Sequence, residues 1–285
     1  MMADSRRVGF GEMLLTSPLF WIALTALAVM PMLMVPITVP IGPMSWDTYL
    51  YLDAAQRIAQ GQVHSVDFSA PVGPLGYYLF AWGLQLFPNA HPLLLAQWCM
   101  LAVALPLMAL VCWEVSRKNR ILALVLVIPF LLFATMPANA QIYHTLPGLD
   151  GFGIYNRHAV ILLYVLVSGL LFMRDGRRLA VLCGTVMLAL FLTKITGFLV
   201  GGLFGLLALL AGRIGIKSVL LAAVIFAVPL VVLELSVGMV RPYLGDIAML
   251  ASDNQESALS RFLLVIAREI DLLVPAGLAA LLILV

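Results

Sequence analysis

Long apolar runs recur along this chain, and short polar or basic passages separate them. Runs near 20 residues predict transmembrane helices, because about 20 apolar residues span the hydrocarbon core. The first run, at about 19–39, is followed by the longest polar passage near the start, Ser45–Tyr78. Later runs predict spans at about 91–115, 121–136, 157–173 and 218–238, with another beginning near Phe262. Strand-period alternation is absent, so a β-barrel is not expected.

Charge refines the count. Ten of the sixteen basic residues fall in four clusters: Arg6/Arg7, Arg117/Lys118/Arg120, Arg174/Arg177/Arg178 and Arg213/Lys217. The positive-inside rule puts all four on the cytoplasmic side, so an even number of crossings separates neighbours. Pro74–Pro88, only 15 residues long, is therefore expected as a re-entrant or interfacial helix on the outer face, not a span. Between Leu179 and Gly212 the same rule predicts two short helices, with Lys194 at the outward tip. Outer loops are expected at about 137–156 and 239–261. The last run carries Arg268, Glu269 and Asp271 in its first turns, which suits a start outside the bilayer core or beside a polar cavity. About eight spans result, in one transmembrane domain over residues 1–285, all α. Seven of the fourteen acids then lie outside: Asp47, Asp53, Asp67, Asp150, Asp246, Asp253 and Glu256.

Composition agrees with a membrane protein. The chain has 285 residues, 63% hydrophobic and 11% charged, with a mean hydropathy of +1.08. A soluble domain carries about 25% charged residues. The net charge of +2 does not select a partner. Cys99, Cys112 and Cys183 lie in apolar runs without pairing or ligand spacing, and read as small buried hydrophobes. The N-terminus lacks a short h-region and cleavage site, so an uncleaved first span is expected, with its outer half bent by Pro31, Pro36 and Pro40. The chain ends at Val285 inside an apolar run, as a truncated protein would.

Candidate chemistry concentrates on the expected outer face. Ser45 can cap a helix over Trp46–Gln60 with Asp47 in its first turn, and Gly61 suits the C′ position. Asp47 at the mouth of a bundle cavity could act as a base; the plainer role is service to the helix dipole. Asp53 can pair with Arg57 four residues on. Asp67, before Pro71 and Pro74, suits a turn. Lys194, ionisable within an apolar stretch, is a site candidate or a residue that snorkels to the interface. Tyr155-Asn156-Arg157-His158 offers a guanidinium fork for phosphate beside hydrogen-bonding groups, or an interfacial anchor. Arg241 is a weaker candidate of the same kind. The histidines are dispersed, so neither a metal nor another cofactor has support in the spacing. P-loop, dinucleotide, zinc and nucleophilic-triad motifs are absent, and nothing suggests nucleic acid.

Together these residues resemble a known pattern. A first span, then WD-x-x-Y-x-x-x-A-x-x-x-x-x-G from Trp46 to Gly61, then VDF-x-x-P-x-GPLGYY from Val66 to Tyr78, is similar to the GT-C superfamily of polytopic glycosyltransferases. Protein mannosyltransferases and aminoarabinose transferases are the nearest in feel. The motif Leu192-Thr193-Lys194-Ile195-Thr196-Gly197 is also similar, and the likeness covers about residues 19–212. It implies a GT-C-like helical bundle in the plasma (inner) membrane, with a cytoplasmic N-terminus and the first loop periplasmic. It also implies a polyprenyl-phosphate-linked sugar donor and inverting transfer to an acceptor. Asp47 matches the family's first-loop acid and would be the base. Lys194, Arg157, His158 and Arg241 would hold the donor phosphate, with Asp53, Tyr51 and Asp67 as secondary candidates. Thr48 follows Asp47 where many members carry a second acid; an inverting displacement needs only one. Two other functions fit the same residues: a transporter or flippase for a lipid-linked anion, and a non-catalytic subunit of an envelope polysaccharide assembly.

Overall fold

The structure is a computed structural model that describes residues 15–40, 45–70, 72–136, 151, 153–253 and scattered positions between 264 and 275. Among these residues the fold is all α. Its helices are α1 (Pro18–Met34), α2 (Trp46–Ala59), α3 (Pro74–Leu86), α4 (Pro92–Trp98), α5 (Leu101–Ser116), α6 (Arg120–Thr135), α7 (Ile154–Phe172), α8 (Arg177–Thr193), α9 (Ile195–Leu210), α10 (Ile216–Val237) and α11 (Val240–Asp253). Proline opens α1, α3 and α4, where its missing N–H has no intrahelical partner to lose. Asn119 opens α6 by accepting from the Leu122 N–H at 3.0 Å.

The expected GT-C-like bundle of about eight spans is not what the fold contains. Among the described residues three helices are long and apolar enough to cross a membrane: Pro92–Ser116, which runs through α4 and α5, Ile154–Phe172 and Ile216–Val237. Three shorter apolar helices accompany them: Pro18–Met34, Arg120–Thr135 and Ile195–Leu210. The overcount arose because hydropathy tallies residues, whereas a span needs continuous helix. In the first run the helix stops at Met34, and the proline-rich stretch after it is not helical. The 16 residues of α6 rise about 24 Å, short of an about 30 Å core. The eighth run lies largely outside the described residues. The three long helices give the chain a membrane character.

Other local expectations fared differently. The helix expected over Trp46–Gln60 is present as α2, and Gly61 after it has φ +85°. Ser45 does not cap with its side chain. The short apolar segment after Pro74 is the 13-residue α3. Lys194 separates α8 from α9 in extended backbone. The expected loop over 239–261 is helical as far as Asp253, because Glu234 accepts from the Val240 and Arg241 N–H groups at 2.9 and 3.1 Å and so caps α11. The loop expected at 137–156 lies mostly outside the described residues, and its last three residues already belong to α7.

Helix α8 sits at the centre, packed on α7, α9 and α10, with α5 and α3 also against it. Small residues set these distances. A Cβ on Gly184 of α8 would lie 2.6 Å from the Ala222 carbonyl oxygen of α10. Two-thirds of the most apolar window of Pro92–Ser116 is buried within the protein, against 6% for Ile216–Val237. Helix α10 therefore presents an apolar surface outward, as a lipid-facing helix does.

The connections α5–α6, α7–α8 and α9–α10 gather at one end. Arg178 pairs with Glu114 at 2.6 Å, and Arg117 and Arg178 both lie over the Trp113 ring, at 5.4 and 4.4 Å. Arg213 donates to the Leu171 carbonyl. Three basic clusters thus share one end of the bundle, while Lys194 lies at the other end of α8.

Candidate functional site

The site forms around the start of α7. Gly153, with φ +72°, is its N-cap. The N–H groups of Gly153 and Ile154 donate to Oδ2 of Asp47 at 2.6 and 3.1 Å. The Asp47 N–H in turn donates to the Gly151 carbonyl at 3.2 Å. A carboxylate at a helix start satisfies exposed donors and complements the dipole. Asp47 lies in the first turn of its own helix α2 and also caps α7, and only 3% of it is exposed.

Lys194 approaches the same turn from the other side. Its Nζ donates to Oδ1 of Asn156 and lies 4.9 Å from the centroid of the Tyr155 ring. Its carbonyl accepts from the Phe198 N–H at 3.1 Å, which starts α9. Burial pulls the Lys194 ammonium below its usual range, and the Asp47 carboxylate pulls it back upward. The hydroxyls of Thr48 and Thr193, next in sequence to Asp47 and Lys194, are buried without a hydrogen-bond partner among the described residues.

The first loop docks directly on this turn. The Gly73 N–H donates to the Thr193 carbonyl at 3.0 Å. Two of the three stretches that carry the family resemblance, those with GPLG and LTK-x-x-G, are therefore in backbone contact. Beneath them Tyr51 is buried against Tyr77 and Phe80, with ring centroids 4.8 and 5.5 Å apart. Its hydroxyl lies 3.5 Å from Nδ1 of His158, whose Nε2 is 3.3 Å from the Gln97 carbonyl. A neutral imidazole with its proton on Nε2 satisfies both contacts. Burial raises the Tyr51 phenol well above its usual range, so it acts as a hydroxyl only.

The remaining candidates are engaged locally. Arg157 donates to the Phe133 carbonyl at 2.8 Å and to the Met136 carbonyl, and stacks over Phe133 at 4.7 Å. It thus holds the C-terminal carbonyls of α6, where a cation is favoured. Asp53 pairs with Arg57 at 2.8 Å on the surface. Asp67 accepts from the Val63 N–H at 2.7 Å. Arg241 is exposed and pairs with Glu234 at 3.2 Å. No three of His, Cys, Asp and Glu come together as a metal site among the described residues.

Sequence reasoning missed His64. It is fully buried, stacked on Tyr77 at 5.7 Å and edge-on to Phe68 and Tyr243. Its Nε2 is 3.1 Å from the Val72 carbonyl, and Ser65 Oγ, on a residue with φ +63°, is 2.8 Å from Nδ1. A lone histidine in a polar loop gave no signal of this packing. Burial lowers its pKa to about 4 from an ordinary 6.5. Between those values the unfolded chain binds a proton that the folded chain refuses, so stability falls as pH falls. Thermal unfolding between pH 7 and pH 4.5 is expected to show a loss of up to about 3 kcal/mol. His64→Gln is expected to reduce that dependence; an unchanged slope would exclude His64 as a source of it.

No family model matches the chain, and neither does a curated protein or a solved structure. The likeness to glycosyltransferases rests on the motifs alone.

Proposed function

We propose that this chain is a membrane glycosyltransferase that moves a sugar from a polyprenyl-phosphate donor to an acceptor hydroxyl, with inversion. The observation that carries the reading is the convergence of Asp47 and Lys194 on the first turn of α7. A buried carboxylate and a half-buried ammonium, supplied by two distant motifs, suit a displacement that needs a base on one side and a phosphate anchor on the other. The acceptor oxygen would bond to the sugar's anomeric carbon as the bond to the donor phosphate breaks. The acceptor proton would pass to Asp47, and the charge left on the phosphate would be met by Lys194. The Thr48 and Thr193 hydroxyls could bind sugar or phosphate oxygens. A cleft of about 350 Å³ between α7, α8, α9 and α10 includes Phe198, one turn beyond Lys194, and continues past Gly201 and Gly205 to Leu209. Its apolar walls suit a polyprenyl tail. By the positive-inside rule we assign the basic end to the cytoplasm, and Asp47 and Lys194 to the outer face of the plasma membrane.

One observation favours a second reading. Asp47 is a buried cap on α7, as a subunit with no catalytic acid would have it. A transfer assay on membranes, with labelled polyprenyl-phosphate sugar, tests the enzyme reading. Lys194→Ala is expected to raise the donor KM about 10- to 100-fold, the loss of a charge-assisted bond to phosphate. An unchanged donor KM would leave Lys194 as an interfacial anchor.

A further inference from the structure

We infer that the cleft between α7 and α9 binds an anionic glycerophospholipid, with one acyl chain in the cleft and the phosphate on Arg213. This site lies at the basic end and does not depend on the transferase reading.

The cleft, of about 220 Å³, is lined by Val167, Leu170, Phe204, Leu207 and Ala208, with Arg213 at its end. Leu171 and Leu207 on its rim are exposed, so it opens on the apolar side of the bundle. The backbone puts Arg213 at the mouth. Gly212, with φ +66°, ends α9 in a Schellman motif: its N–H donates to Leu209 at 3.0 Å, and the Arg213 N–H donates to Ala208 at 2.8 Å. The guanidinium is then held by one bond to the Leu171 carbonyl. It has five N–H donors in a planar fork that matches phosphate oxygens. Its side chain is exposed, and it has no ion pair among the described residues.

The surroundings favour an anion. Arg174, Arg177 and Lys217 flank the two connections and are exposed. The nearby acid, Asp175, bonds to Ser218 and to the Gly215 and Gly176 backbones. A free phosphate would use only the charge. A zwitterionic lipid would carry a cation into a basic field. Only an anionic amphiphile satisfies both the apolar cleft and the guanidinium at its end.

The test uses the purified full chain in neutral detergent, stripped of lipid. Dioleoyl phosphatidylglycerol, dioleoyl phosphatidylcholine and inorganic phosphate are titrated separately, and the unfolding midpoint is read. Phosphatidylglycerol is expected to raise the midpoint saturably, and the other two are not. Arg213→Ala should weaken the apparent affinity for phosphatidylglycerol about tenfold. Ala208→Leu, which fills the cleft and leaves the charge in place, should do the same and decides the matter if Arg213→Ala does not fold. Equal stabilisation by phosphatidylcholine overturns the proposal, as does a shift reproduced by phosphate alone. So does wild-type lipid affinity in the folded variants. Donor KM should be untouched by Arg213→Ala, so failure here is distinguishable from failure of the transferase reading.

Discussion

Asp47→Asn is expected to lower kcat for sugar transfer by about 10²- to 10⁴-fold while the fold survives, the usual contribution of a general base. The substitution separates two roles that coincide in one side chain. Oδ2 of Asp47 accepts from Gly153 and Ile154, and an asparagine carbonyl oxygen has two lone pairs for the same two donors. The cap on α7 therefore remains, but the amide cannot take the acceptor's proton. Asp47→Ala removes both roles. It strands buried N–H groups at a helix start and should cost about 1–3 kcal/mol in addition to activity. If Asp47 is only a cap, asparagine is nearly silent and alanine alone is damaging. Membrane transfer assays and unfolding midpoints on both variants read the difference. Wild-type turnover by a correctly folded Asp47→Asn protein would sink the catalytic role and favour the subunit reading.

Much of this site was legible because charge is expensive where water is scarce. Lys194 stood out as an ionisable residue within an apolar stretch and Asp47 as an acid at the start of the polar first loop, and both prove to be buried or half-buried with polar partners. The break at Lys194 was legible too, since the basic residues on either side of it require a return. The partners were not. Nothing in the periodicity of 45–60 says that Asp47 serves a helix start more than a hundred residues later. Arg157 illustrates the same limit. Its type suits phosphate, yet its neighbours are the carbonyls at the end of α6. The span count failed for another reason: apolar residues such as Val35 and Val39 add to hydropathy without adding to a helix. Polar composition misled over 240–253 in the opposite direction, because the cap that starts this helix comes from Glu234 in the preceding one.

Gly73→Ala is expected to damage the protein more than any other single methyl group at this site. A Cβ there would lie 2.3 Å from the Leu192 carbonyl oxygen, 2.5 Å from its carbonyl carbon and 2.7 Å from the Tyr243 hydroxyl. Tyr243 is itself fixed by a 2.7 Å bond to the Phe191 carbonyl. Two of the three obstructing atoms are backbone and cannot swing aside. Gly73 has φ −67°, so the objection to alanine is the close approach and not the backbone angle. Relief would separate the first loop from the end of α8 and break the Gly73–Thr193 hydrogen bond, next to the turn that carries Lys194. Overpacking of this kind costs about 1–3 kcal/mol, occasionally more. A fall of about 5 °C or more in the unfolding midpoint follows at the upper end of that range, together with a higher donor KM. Gly205→Ala is the control. Gly205 lies within α9, and a Cβ there meets nothing within 4 Å. Alanine should leave that midpoint unchanged or raise it, since glycine is the poorer helix former by about 1 kcal/mol. If Gly73→Ala unfolds with the wild type and keeps its donor KM, the first loop and the Lys194 turn are not in backbone contact. The link between the two halves of the site would then run through the first turn of α7, which Asp47 and Lys194 both reach.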